Sequence, residues 1–145
     1  CNVFDEPYDE NADARAQVYE ALAQAQEKNK LVLLEFGANW CGDCVSLYKR
    51  MKSSPLKEIV SENFIHVKID IGERDKNLEL ANRYQAMIDN GIPTIVVVDQ
   101  NDQILLGTTN GQLGKARKMG DQELVKFFNE VVIHTQKLAQ VSQEG

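Results

Sequence analysis

Apolar positions along the chain change their spacing several times, and each change marks an element. Ala14, Val18, Leu22 and Ala25 recur at helical spacing. They predict an amphipathic helix from a cap at Asn11 or Asp13 to about Lys28. Leu31 to Gly37 reads L-V-L-L-E-F-G, a near-continuous apolar run that suits a strand buried on both faces. Leu47, Tyr48 and Met51 give an apolar face to a helix over Val45 to Lys52. Ser53-Ser54-Pro55 interrupts it, because proline has no N–H to continue the ladder, and a short helix is expected to resume over Leu56 to Glu62. Phe64 to Ile69 alternates as a second strand ending at Asp70, and the charged loop Asp70 to Lys76 follows. Asn77 to Tyr84 reads as a helix with Leu78 and Ala81 inward and Leu80 a further candidate, and Met87 to Asn90 connects it to Pro93. Thr94 to Val98, the turn residues Asp99 to Asp102 and Ile104 to Leu106 form a predicted hairpin. The glycine-rich stretch Gly107 to Gly120 is long for a loop in a compact domain, which points to a functional or mobile segment. Asp121 caps a last helix, Gln122 to about Gln136, with Leu124, Phe127, Phe128, Val131 and Val132 as its buried face.

At 145 residues the chain suits one domain. Residues 1–11, acidic and without period, read as a tether; residues 12–136 form the domain; residues 137–145 are a polar tail expected to fray. The formal charge of −6 argues against nucleic acid and against a polybasic membrane patch as partners. No apolar run approaches the roughly 20 residues that span a bilayer.

Chemistry concentrates where the first strand runs into the next helix. Cys41 and Cys44 have C-x-x-C spacing, with Cys41 at or near a helix N-terminus. Unpaired backbone N–H groups and the macrodipole favour an anion there, so a thiolate at Cys41 is stabilised and nucleophilic. Cys44 sits one turn further on, close enough to close a disulfide. C-x-x-C also serves zinc sites, but zinc needs further ligands, and only His66, His134 and Cys1 are on offer beyond carboxylates, none with a paired spacing.

The stretch from Leu31 to Cys44, an apolar strand holding one acid and then W-C-G-D-C, resembles the active-site region of the thioredoxin family. Gly91-Ile92-Pro93-Thr94, running into Ile95 to Val98, is similar to that family's cis-proline element. The resemblance covers roughly Lys30 to Glu130. It implies an α/β thioredoxin fold: a central mixed four- to five-stranded sheet flanked by helices, here with an extra N-terminal helix. The strand before the dithiol would pair in parallel with the next strand, and the hairpin would pair antiparallel. It further implies a thiol–disulfide oxidoreductase that reduces or isomerises protein disulfides, with Cys41 attacking and Cys44 resolving the mixed disulfide. Glu35 would be the buried acid that relays the Cys44 proton, a role suited by a pKa raised through desolvation. Trp40, Gly42 and Asp43 would support the site; Trp40 would shield Cys41 and offer apolar contact. Pro93 would be cis, exposing the Ile92 backbone to an extended substrate. Asp43 stands where the family's familiar motif has proline. As a like charge beside the thiols it is expected to raise the Cys41 pKa and lean the pair toward reductase or isomerase work. His66, in mid-strand, reads as structural.

No bound cofactor or metal is expected beyond the Cys41–Cys44 disulfide itself. The expected partners are proteins with disulfides or thiols and a redox partner that resets the dithiol, for a monomer. The chain begins at Cys1, which resembles a bacterial lipoprotein after signal-peptide removal; the other reading is a chain simply trimmed to that residue. A lipid anchor at Cys1 and an extracytoplasmic, periplasmic location follow from the first reading, with the cytoplasm left open. Two other functions fit the same residues. One is a copper metallochaperone using the dithiol, and the other a non-catalytic thioredoxin-like binding module using the Gly107 to Gly120 loop.

Overall fold

A computed structural model describes residues 6–144, with side chains through residue 140. Cys1 lies outside the described residues. The elements run α1 (Ala14–Lys28), β1 (Leu31–Gly37), α2 (Gly42–Arg50), α3 (Leu56–Asn63), β2 (Phe64–Asp70), α4 (Leu78–Arg83), β3 (Thr94–Val98), β4 (Ile104–Gly107) and α5 (Asp121–Glu144). Short 3-10 turns sit at Ile88–Asn90 and Ala116–Lys118. The strands form one four-stranded sheet in the order β2-β1-β3-β4. β1 pairs in parallel with β2 and antiparallel with β3, and β3 pairs antiparallel with β4. This is the mixed sheet of the thioredoxin fold, with α1 as the added N-terminal helix.

All seven residues of β1 are buried, as an uninterrupted apolar run in a central strand requires. Its apolar side chains alternate between two cores. Val32, Leu34 and Phe36 join a cluster with Val18, Ala21 and Ala25 of α1 and Leu80 and Ala81 of α4. Leu31 and Leu33 join Leu56 and Val60 of α3 and Leu124 and Phe128 of α5. Glu35 follows Leu31 and Leu33 in that alternation, and it is the one acid in a strand otherwise apolar.

Several local expectations shift. Ala21 is buried where the spacing favours Leu22, because the stripe of α1 turns toward the sheet on Ala14, Val18, Ala21 and Ala25. Leu80 takes the inward position on α4, while Leu78 at the helix start is exposed. Phe127 and Val132 are half-buried beside the fully buried Phe128. The last helix continues past Gln136 to Glu144. The acidic stretch before α1 packs against the domain, with Pro7 and Tyr8 buried. The segment after β4 is packed as well: Leu113 and Ala116 are wholly buried, and the Arg50 guanidinium donates to the Ala116 and Met119 carbonyls.

Candidate active site

The C-terminal end of β1 delivers the chain through Ala38, Asn39 and Trp40 to Cys41, the N-cap of α2. In that position the Cys41 sulfur does what a capping oxygen does: Sγ accepts the Cys44 backbone N–H at 3.2 Å. The Cys41 thiol also lies 3.6 Å from the Ile92 carbonyl, to which it donates. Ile92 precedes Pro93 across a cis peptide bond, directly before β3. Both cysteines are free thiols. Cys44 is wholly buried and Cys41 is 6% exposed, so only the N-terminal thiol reaches the surface.

These contacts separate the two thiols. The Cys44 thiol donating to Cys41, joined by the backbone N–H groups of Cys44 and Asp43, outweighs desolvation and brings Cys41 down from 9.0 to about 7. The same hydrogen bond and burial push Cys44 well up. Asp43 acts on Cys41 in the expected upward direction, but its charge is the weakest of these influences and the net shift is downward. Part of the reason is its partner. Asp43 Oδ1 accepts from the Arg117 backbone N–H at 2.9 Å and from Arg117 Nε at 3.3 Å. The Arg117 side chain also lies over Gly42, where an added Cβ would come within 2.8 Å of the guanidinium. The segment after β4 therefore clasps the dithiol turn. Because Cys41 sits near neutrality, its alkylation rate is expected to rise with pH through a midpoint close to 7. A midpoint near 9, the ordinary thiol value, would contradict this electrostatic picture.

Trp40 is 55% exposed beside the dithiol, with Nε1 donating to the Gly72 carbonyl at 2.8 Å and Arg74 over its ring at 5.8 Å. Its indole is thus held in place while part of the ring stays open. Met87, exposed, precedes the 3-10 turn Ile88–Asn90 that leads the chain to Ile92. Asn90 donates to the Thr109 carbonyl at 2.8 Å, and Gly111 packs on Asn90 so closely that a Cβ would meet its carbonyl oxygen at 2.4 Å. The backbone at Ile92 is therefore braced from the segment after β4.

Glu35 is fully buried and fully engaged. Its Oε2 accepts from the Tyr8 hydroxyl at 2.9 Å, its Oε1 contacts His66 Nε2 at 2.8 Å, and Lys68 Nζ lies 3.6 Å from Oε2. The parallel register of β1 and β2 makes this possible, setting Leu33 beside His66 and Glu35 beside Lys68. The expectation of a raised pKa is overturned. Desolvation is the largest single influence and acts upward. The His66 hydrogen bond, the Lys68 and His66 charges and the Tyr8 hydrogen bond together reverse it, holding Glu35 at about 2. Lys68 is itself held between two rings, 4.6 Å from the Tyr8 centroid and 4.5 Å from that of Tyr48.

Of the residues singled out in the sequence, the structure gathers Cys41, Cys44, Gly42, Asp43, Trp40 and Ile92–Pro93 at one end of the sheet, with Glu35 on the strand beneath. It adds Tyr8, His66, Lys68 and Arg117. The basic pair on β2 has a sequence signal in H-x-K, which puts two such side chains on one face of a strand. Nothing in the sequence points to Tyr8. Among the described residues no three His, Cys, Asp or Glu side chains cluster as a metal site.

A family model described as thioredoxin-like matches residues 13–100. Thioredoxin of Echinococcus granulosus is 30% identical over 107 residues, covering 74% of this chain and 86% of that protein. Thioredoxin-1 of Drosophila melanogaster is 36% identical over 76 residues, and the match spans 52% of this chain and 64% of that protein's length. Among solved structures, a disulphide isomerase from Xylella fastidiosa Temecula1 superposes with a TM-score of 0.86 at 43% identity, covering 88% of this chain and 98% of that one. The match of fold and sequence over most of the chain places it: this chain belongs to the thioredoxin-like family.

Proposed function

We propose that this protein is a thiol–disulfide oxidoreductase acting on protein disulfides through a reversible Cys41–Cys44 disulfide. The observation that carries the reading is the split between the two thiols. Cys41, near neutrality at the cap of α2, is the nucleophile, and Cys44, buried and protonated, is held back as the resolving thiol. Cys41 thiolate attacks a substrate disulfide and forms a mixed disulfide. Cys44 then attacks Cys41 Sγ, releasing the substrate thiol and closing the internal disulfide. Trp40 and the Ile92 backbone offer an apolar face and a hydrogen-bonding edge to an extended substrate segment. The reaction needs no bound cofactor, only a redox partner that returns the pair to the dithiol. A Cys41 pKa of about 7 supports reductase or isomerase work, since a far lower one marks a strong oxidant. An extracytoplasmic, periplasmic location and action as a monomer belong to the same proposal.

Reduction of insulin by dithiothreitol tests it. The protein at catalytic concentration should accelerate precipitation of the reduced chains, and a Cys41→Ser, Cys44→Ser double variant should not. Equal rates with both proteins would overturn the proposal, and a partner held equally well by the double variant would point to a binding module instead.

A further inference from the structure

Resolution poses a proton problem. Cys44 must become a thiolate to attack, yet it is wholly buried and its proton has no direct path to solvent. Glu35, the acid beneath it, turns its two oxygens toward Tyr8, His66 and Lys68. Tyr8 hydrogen-bonds the acid and packs beside the thiol. A Cβ added at Gly37 would lie 2.3 Å from Tyr8 Oη and 2.8 Å from Cys44 Sγ, so hydroxyl and thiol close over the same bare Cα. Tyr8 is 2% exposed and comes from the stretch before α1, which the Asn39 side chain fixes in place. Asn39 Oδ1 accepts the Tyr8 N–H at 2.8 Å, and its Nδ2 donates to the Tyr8 carbonyl at 3.0 Å. Asn39 lies two residues before Cys41, so the segment that presents the nucleophile also clamps Tyr8.

We infer that Tyr8 relays the proton of the resolving step, its hydroxyl carrying it from the Cys44 thiol to Glu35. The inference rests on the disulfide-exchange reading above. In the mixed disulfide, the Cys44 proton passes to Tyr8 Oη as the Tyr8 proton passes to Glu35 Oε2. The Cys44 thiolate attacks Cys41 Sγ; the Cys41–Cys44 bond forms, and the bond between Cys41 and the substrate sulfur breaks. Its electron pair leaves on the substrate thiolate, which takes a proton from solvent, while Glu35 releases the one it received toward the surface through the partly exposed His66 ring. The dithiol is oxidised by two electrons and the substrate disulfide is reduced. A carboxyl held low by His66 and Lys68 does not keep the proton. Glu35 is then a conduit and not a store. The Tyr8 hydroxyl is itself held protonated by burial and by the Glu35 carboxylate that faces it. The charged and titratable groups around it are Glu35 on β1, His66 and Lys68 on β2 and the two cysteines of the dithiol turn.

The test separates the two chemical steps with 5,5′-dithiobis(2-nitrobenzoic acid), which releases one coloured thiolate when Cys41 attacks and a second when Cys44 resolves. In Tyr8→Phe the first release should keep its rate, while the second slows by about a hundredfold or more, the scale of a lost proton-transfer group. Site-specific 3-fluorotyrosine at position 8 keeps the side chain's shape but acidifies the phenol. It should shift the pH profile of the second release alone, which a purely structural role would not. An unchanged second release in both proteins, or equal slowing of both releases with a lowered Tm, would overturn the role of Tyr8. Absence of a second release from the unaltered protein would instead overturn the disulfide-exchange reading.

Discussion

Cys44→Ser stops the reaction after its first step: a Cys41-linked mixed disulfide with the substrate protein accumulates and turnover falls by orders of magnitude. Cys41→Ser, by contrast, forms no adduct. The asymmetry follows from exposure and charge together. Cys41 reaches the surface and titrates near 7, whereas Cys44 is sealed in the core with its proton held on. Only the first thiol can meet a protein disulfide, and only the second is placed to release it. Non-reducing electrophoresis of each variant after exposure to an oxidised substrate reads the difference. An adduct with Cys41→Ser and none with Cys44→Ser would reverse the assigned roles.

Glu35→Gln loses stability at neutral pH and loses the acid limb of its stability profile. Folding takes this carboxyl from 4.5 down to about 2, so the folded state favours the ionised form. The sign follows from linkage: a depressed pKa contributes stability above pH 4.5, and that contribution drains away as pH falls from there to about 2. The size is on the order of 3 kcal/mol, taking about 1.4 kcal/mol for each tenfold change in proton affinity. Urea unfolding at a series of pH values should show the wild type weakening across that window and the variant flat. Parallel profiles would mean that the His66 and Lys68 contacts do not hold the charge in solution. The same network explains why an acid is tolerated in the central strand. Buried charge is costly unless it is paired and hydrogen-bonded, and here a hydroxyl, an imidazole and an ammonium converge on one carboxylate.

What is legible in the sequence is local. The run from Leu31 to Gly37 reads as a buried strand, and W-C-G-D-C as a helix cap carrying a thiol, because strand, turn and cap are each written in consecutive residues. Gly91-Ile92-Pro93-Thr94 can be placed beside them through the family resemblance. What stays hidden depends on partners far apart in the chain. Tyr8 meets Glu35 across 27 positions, His66 meets it across 31, and Arg117 meets Asp43 across 74. Composition makes residues 1–11 look like a tether, because acids flank Pro7-Tyr8 and no period links them; the clamp on the Tyr8 backbone is one distant side chain, Asn39. The glycine-rich segment after β4 has the composition of a mobile loop, yet Arg50 and Asp43 fasten it to α2. The Glu35 pKa departs from its expected direction for the same reason, since burial is visible in the sequence and the contacts that Tyr8, His66 and Lys68 make with the acid are not.

The most direct measurement is the reduction potential of the Cys41–Cys44 pair, titrated in defined thiol–disulfide buffers. A single reversible two-electron transition near about −270 mV is expected, the region of thioredoxin, whose attacking thiol also titrates near neutrality. A value up toward about −120 mV, that of a strong disulfide-forming oxidant, or no reversible transition at all, would contradict a protein that donates electrons to disulfides.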